Sequence, residues 1–303
     1  MRTIAVTGAT GFIGNELVTS LLEDPENHVV AIIRDPASLK HVSWQLKDNL
    51  SVIECSLEHI AQLPLILNGQ VDTFYHLAWA GIRASDRDDV HLQQANRQYS
   101  MDAIRSAAKL GVTVFIGIGS QAEYGLCSGK IDETYPPYPV SEYGKAKLQV
   151  YEEGKVLSEK LGLKFIWARI FSTYGVGDNE STLIPSVLKK MLRNEPILLS
   201  DCTQTWDFVH VKDVVQALIL LQNAPLGIYN ISGINPQKLM KYIYEMVEYT
   251  HSSSYLDFGA FPHATNGFDP ISKKLQETVG WYPRISFREG ILEIIKDLRE
   301  NGA

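Results

Sequence analysis

The 303-residue chain has three cysteines, Cys55, Cys127 and Cys202. They are too few and too widely spaced for a disulfide framework, and no two form the C-x-x-C pair of a zinc knuckle or redox couple. No metal site is therefore expected. The chain also lacks a basic surplus, because 28 Lys and Arg face 35 Asp and Glu for a net charge of -7. That balance excludes a nucleic-acid or anionic-membrane surface as the main partner. No apolar run approaches the roughly 20 residues that span a bilayer, and the first residues run directly into a strand pattern. A cytoplasmic setting with reduced thiols is the expectation. What the chain does have is apolar material, 45% of its residues, enough for one large core or two unequal lobes without staples.

Arg2–Thr7 is a β-branched run followed by a glycine turn and then a helical repeat at Phe12, Ile13, Leu17, Val18, Leu21 and Leu22. Further apolar runs of strand length lie at His28–Ile33, Val52–Cys55, Thr73–Leu77, Val112–Ile118 and Lys164–Ile170, with helical patterns notably at Arg87–Leu110 and Tyr143–Leu161. Apolar strands that alternate with helices are buried on both faces, so the pattern predicts an α/β fold, a Rossmann-type doubly wound parallel sheet. Beyond Tyr174, Gly175, Gly177 and Pro185 break the rhythm. The reading is a cofactor-binding domain over 1–170 and a smaller carboxy-terminal α/β substrate lobe over 171–303, with a segment near 206–232 returning to the first domain.

The turn Gly8-Ala9-Thr10-Gly11-Phe12-Ile13-Gly14 has glycine at every third position between a strand and a helix. Such a turn brings backbone N–H groups and the positive end of a helix to a pyrophosphate, and here it has the strand and helix on either side that the motif requires. At the end of the second strand a carboxylate would bind the adenosine ribose of NAD, whereas a cation would bind a 2′-phosphate. Arg34 stands there, Asp35 follows and Lys40 can add a second charge. NADP(H) is the expected cofactor, with NAD(H) as the alternative.

Tyr143 and Lys147 lie four residues apart, hence on one helix face that Ser141 can cap. In that arrangement an ammonium lowers the phenol pKa while the phenol exchanges a proton with a substrate oxygen. Ser120, after the fifth apolar run, can donate to the developing alkoxide. Ser120, Tyr143 and Lys147 are the expected catalytic group.

With TGATGFIG (7–14), HLAWAG (76–81), Ser120 before Tyr124-Gly125, YGKAK (143–147), RIFSTYG (169–175), WDFVHVKDVV (206–215) and GWYP (280–283) in order, the chain resembles the extended short-chain dehydrogenase/reductases that modify nucleotide-diphosphate sugars. The resemblance implies a nucleotide-sugar substrate and a homodimer. It extends the cofactor site to Gly8, Thr10, Gly11, Phe12, Ile13, Gly14, Arg34, Lys40, Ser56, Leu57, Leu77, Ala78, Ala80, Tyr143, Lys147 and Ile170. On the substrate side it implicates Trp79, Ser120, Gln121 and Ser172. Three departures stand out: Trp206 where the family often has a diphosphate-binding arginine, Ser172 for an asparagine, and Ser56 for an aspartate near the adenine. Phosphate contacts would then fall to Lys189 or Arg193.

Hexose dehydratases of this family resemble one another in having acidic residues directly after the catalytic Ser or Thr, and fucose-pathway epimerase-reductases have a cysteine at the second position. Gln121 and Ala122 stand there, which leaves hydride transfer at one carbon, most simply C4. Arg34 and the similarity to CDP-abequose synthase-type enzymes favour an NADPH-dependent reductase of a 4-keto-6-deoxyhexose carried on a nucleotide diphosphate. The alternative is an NAD-dependent nucleotide-sugar 4-epimerase. His76 and His210 read as structural, Cys127 as an incidental thiol, and 83–89 as a solvated loop.

Overall fold

The computed structural model describes residues 1–44, 47–81, 84–262 and 267–301. Seven strands form one sheet: β1 (Arg2–Thr7), β2 (Asn27–Ile33), β3 (Leu50–Glu54), β4 (Thr73–His76), β5 (Val114–Ser120), β6 (Lys164–Ile170) and β7 (Gly227–Ile231). Their order is β7-β6-β5-β4-β1-β2-β3, with every pairing parallel. The doubly wound fold expected from the sequence is present, with a crevice at the carboxyl ends of β1 and β4, where the strand order reverses.

The longer helices are α1 (Phe12–Leu21), α2 (Val90–Lys109), α3 (Glu142–Leu161), α4 (Leu183–Leu192), α5 (Val211–Leu221), α6 (Leu239–Thr250) and α7 (Phe287–Glu300). Because successive strand residues point to opposite faces, Ile4 and Val6 pack with Leu17 and Val18 of α1 and with Val214 and Leu218 of α5. Ala5, Val30 and Phe115 face the other way, against Ala103 and Ile104 of α2 and Val150 of α3. Both faces are covered, so the strands need no polar alternation. A third cluster joins Leu188 of α4, Ile243 and Met246 of α6 and Ile291 and Ile294 of α7.

The chain crosses between these regions after Ile170. Strand β7 pairs with β6, and α5 lies against α1 before the chain returns to α6 and α7. Several boundaries shift by a few residues from the sequence expectation, two of them near the site. Strand β5 continues to Ser120, and α2 begins at Val90 because the Asp89 carboxylate accepts the Leu92 N–H at 3.0 Å.

Candidate active site

A cavity of about 750 Å³ opens at the switch point. Gly8 has φ +69°, and a Cβ there would come within 2.8 Å of the Ala78 nitrogen. A Cβ on Gly14 would run into the Gly8 carbonyl. The two glycines therefore let the turn lie against both β4 and its own helix. Gly11 begins α1 with no side-chain cap, leaving the helix N-terminus with free N–H groups and positive dipole at the cavity wall. This donor set, with a cavity of the size that takes a cofactor, fits a dinucleotide.

Gly8, Thr10, Gly11, Phe12, Ile13 and Gly14 all line the cavity, as do Leu77, Ala78 and Ala80 on its β4 side. Arg34, Lys40, Ser56 and Leu57 line its far end. Asp35 stands there as well. One of its carboxylate oxygens caps the short 3-10 turn at Pro36–His41 by accepting the Ala37 N–H at 2.8 Å. Tyr99 of α2 is a lining residue that the sequence reading missed.

Three residues expected at the cofactor do not line this cavity. Ile170 ends β6 within the hydrophobic core. Tyr143 and Lys147 lie beside the cavity, and Trp79, which the sequence reading placed at the substrate, stands on its wall.

The candidate catalytic group is built by α3 and the end of β5. Ser141 caps α3 by accepting the Gly144 N–H at 3.1 Å. The remaining free donors of that helix end are met from the 83–89 segment: Tyr143 N donates to the Arg87 carbonyl at 2.8 Å, and Glu142 N to Asp88 Oδ1 at 3.1 Å. The described part of this segment, 84–89, caps two helices and is not a free loop; Arg83 lies outside the described residues.

Burial raises the Tyr143 phenol pKa, while a hydrogen bond with Ser120 and the Arg87 guanidinium act downward. That guanidinium lies 5.5 Å from the Tyr143 ring centroid. The sequence reading gave the phenol-lowering task to Lys147. Instead, the Lys147 ammonium donates to the Ile118 carbonyl at 2.8 Å and lies 3.6 Å from the centroid of the Trp79 ring. Burial lowers the Lys147 pKa to about 7, with the charge of Glu123 opposing.

Beneath Ser120 is a buried network. Glu123, fully buried, accepts the Ser120 N–H at 2.8 Å and the Trp167 indole N–H at 3.0 Å, and it pairs with Arg169 at 2.6 Å. The Arg169 guanidinium lies 4.6 Å from the Tyr124 ring centroid, and the Tyr124 hydroxyl donates to Asn230 Oδ1 at 2.8 Å. Glu123 was missed in the sequence, although Ser120-x-x-Glu123 is a capping-box spacing. Held this way, its carboxylate cannot replace the acids absent at Gln121 and Ala122.

On the substrate side, Ser172 Oγ donates to Gln121 Oε1 at 3.3 Å. Trp206 packs on Phe268 with ring centroids 4.7 Å apart. Lys189 is engaged by Glu180 at 2.7 Å, and Arg193 ends α4 with Glu195 at 3.9 Å. The structure thus brings Gln121 and Ser172 together but gives Lys189 a carboxylate partner of its own. His76 is buried, with Nδ1 2.9 Å from Thr7 Oγ1 and its pKa lowered to about 3 by burial. His210 and Cys127 are also buried. Among the described residues no cluster of metal-ligating side chains occurs, and no helix is long and apolar enough to cross a membrane.

The chain is similar to a Bacillus subtilis (strain 168) protein described as an uncharacterized UDP-glucose epimerase, at 26% identity over 95% of each chain. Among solved structures, UDP-glucuronic acid 4-epimerase from Bacillus cereus, in complex with UDP-glucuronic acid and NAD, superposes with a TM-score of 0.88 at 24% identity. That match covers 99% of this chain and 100% of the other. The protein MoeE5, in complex with UDP-glucuronic acid and NAD, superposes with a TM-score of 0.85 at 26% identity, covering 99% of each chain. Residues 4–232, from the first strand through the last strand of the sheet, match the NAD dependent epimerase/dehydratase family, and the chain belongs to it.

Proposed function

We propose that the protein transfers hydride at C4 of a nucleotide-diphosphate sugar, acting as an NAD-dependent 4-epimerase. One observation carries the single-carbon reading: a half-buried Tyr143 whose phenol pKa the Ser120 side chain lowers, beside a dinucleotide-sized cavity, with no free acid in the positions after Ser120. The epimerase names of the Bacillus subtilis relative and the Bacillus cereus enzyme, and the NAD in the two solved structures, favour epimerisation over the reductase expected from the sequence. Asp35 at the far end of the cavity supports NAD, because a carboxylate there can accept ribose hydroxyls.

A bound nicotinamide cofactor would accept and return the hydride. The rest falls to this chain. Tyr143 takes the proton of the C4 hydroxyl and gives it back, and Ser120 donates to the same oxygen to fix its position. Lys147 supplies positive charge to this site. The turn from Gly8 to Gly14 holds the pyrophosphate, with Arg34, Asp35 and Ser56 at the adenosine end. Residues 171–303 hold the nucleotide sugar, with Gln121, Ser172 and Trp206 facing it.

A second reading is an NADPH-dependent 4-keto reductase. It is favoured by Arg34 and Lys40, two cations at the end of the cavity where a 2′-phosphate would sit. Denaturing the purified protein and identifying the released cofactor separates the two. The epimerase releases NAD and interconverts UDP-glucose- or UDP-glucuronate-type C4 epimers without net cofactor change. The reductase consumes NADPH with a nucleotide-linked 4-keto sugar, giving a product heavier by two hydrogens. Absence of both activities across UDP-, dTDP-, CDP- and GDP-sugars would refute hydride transfer at C4.

A further inference from the structure

Trp79 has an unusual set of neighbours. Its ring face lies under the Lys147 ammonium at 3.6 Å from the centroid, and its edge meets the Tyr143 ring at a centroid distance of 5.8 Å and an interplanar angle of 87°. Its position is fixed from behind. The indole N–H donates to Gln93 Oε1 at 3.0 Å, and Gln93 in turn donates to the Asp86 carbonyl at 2.9 Å. The next residue is clamped too: Asn96 accepts the Ala80 N–H and donates to the Ala80 carbonyl, both at 2.8 Å. Gln93 and Asn96 are both buried on α2, so the indole is held by a rigid helix and is not free to swing with a loop.

We propose that Trp79 is a positioning residue for Lys147, its π face holding the ammonium on the wall between the cofactor cavity and Tyr143. The inference deepens the reading of this site as a hydride-transfer centre and rests on it for its kinetic consequence. An ammonium has three donors, and among the described residues the Ile118 carbonyl is the protein acceptor bonded to this one. A ring quadrupole is the remaining attraction a nonpolar wall can offer, and it acts only on the charged form. Trp79 therefore favours the charged form of Lys147 against its burial and fixes it in one place, while leaving donors free for a cofactor hydroxyl.

Other groups near Lys147 leave this role open. Glu123 is committed to Arg169, Trp167 and Ser120. His76 on β4 is held neutral at ordinary pH by burial. Tyr143 is raised, and Arg87 lies over the Tyr143 ring. The Tyr143 ring gives the ammonium a second but more distant face, 5.8 Å from its centroid against 3.6 Å for Trp79.

The test uses two substitutions that remove the same hydrogen bond but differ in the ring. Trp79→Phe and Trp79→Leu both lose the donor to Gln93, and only Phe retains a π face. We expect kcat/KM to fall on the order of ten-fold further in the Leu variant than in the Phe variant, with the Leu variant losing Lys147-dependent activity at a lower pH. A second readout needs no turnover. In the cofactor-free protein, the Trp79 emission, taken as wild type minus Trp79→Phe, should titrate with Lys147 near neutral pH, and Lys147→Met should abolish that titration.

Equal impairment of the Phe and Leu variants, or a difference emission that does not respond to pH or to Lys147→Met, overturns the positioning role. If the titration is present while no nucleotide sugar turns over, the positioning role stands and the functional reading fails. The emission arm remains decisive even if the Leu variant does not fold.

Discussion

Two buried carboxylates mark the difference between the halves of this molecule. Glu123, at the end of the central sheet, has every lone-pair direction answered by Ser120, Trp167 and Arg169. Asp207, in the carboxy-terminal region, is as deeply buried at 1% exposure, yet its Oδ2 has no hydrogen-bond partner among the described residues. Burial, with Asp269 contributing, raises its pKa to about 7. The first carboxylate is paired with a guanidinium and sets the backbone of a candidate catalytic serine. The second carries a proton through most of the acidic range. Precision is concentrated where Tyr143 and Ser120 must stay aligned, and the lobe assigned to the sugar tolerates an incompletely satisfied core.

The largest effect expected is on the chemistry attributed to the first region. Tyr143→Phe should reduce kcat by about 10²- to 10⁴-fold, the usual worth of a positioned general acid–base. Thermal unfolding should change little, since only the phenol hydroxyl beside Ser120 is removed. Near-wild-type turnover would move the proton transfer to another group and undo the contrast at its root.

Glu123→Ala comes next. Removing one partner of a buried pair strands the Arg169 charge and should cost about 3–5 kcal/mol of stability. Glu123→Gln restores an acceptor for the Ser120 N–H and should recover a measurable part of both stability and kcat. Equal loss in both variants would mean that charge alone matters and that the capping geometry does not.

Asp207 sharpens the comparison through pH. Its folded pKa lies above its unfolded value near 4, so the folded state holds the proton longer. Its contribution is greatest at low pH, declines as pH rises from about 4 to about 7, and is flat above that. Asp207→Asn removes this decline. Urea unfolding should show the variant gaining about 2–4 kcal/mol on the wild type between pH 4 and pH 7.5. Parallel stability profiles would show that Asp207 has a partner in solution and that the two regions are alike.

Most of the sheet was legible in the sequence because apolar strand runs and helical repeats are local signals. The turn from Gly8 to Gly14 was legible for the same reason. Glu123 was only half legible: its capping-box spacing is local, but Arg169 and Trp167 reach it from β6, a non-local pairing no motif announces. The place of Lys147 was misjudged because its spacing from Tyr143 fixes a shared helix face but not the rotamer that turns its ammonium to Trp79 and Ile118. Arg87 was passed over as part of a charged run, although its carbonyl accepts the Tyr143 N–H and its guanidinium lies by the Tyr143 ring. Reduction was preferred because Arg34 and Lys40 were given more weight than Asp35, whereas all three line the folded cavity.

That last pair gives the smallest expected effect, at the solvent edge of the amino-terminal region. Arg34 is exposed, so its attraction for a 2′-phosphate is partly screened. A charge-assisted contact there is worth about 1.5 kcal/mol, or roughly ten-fold in affinity. Arg34→Ala should therefore weaken NADP by about that factor and leave NAD almost unchanged, while Asp35→Asn should weaken NAD and spare NADP. Titration calorimetry at low and high salt measures both. If the wild type binds NAD more tightly and Asp35→Asn removes that preference, the carboxylate outweighs its neighbouring cation and the 4-epimerase reading gains its cofactor. If Arg34→Ala is the substitution that reverses a preference for NADP, the adenosine end is built for the phosphate and the reductase reading takes its place.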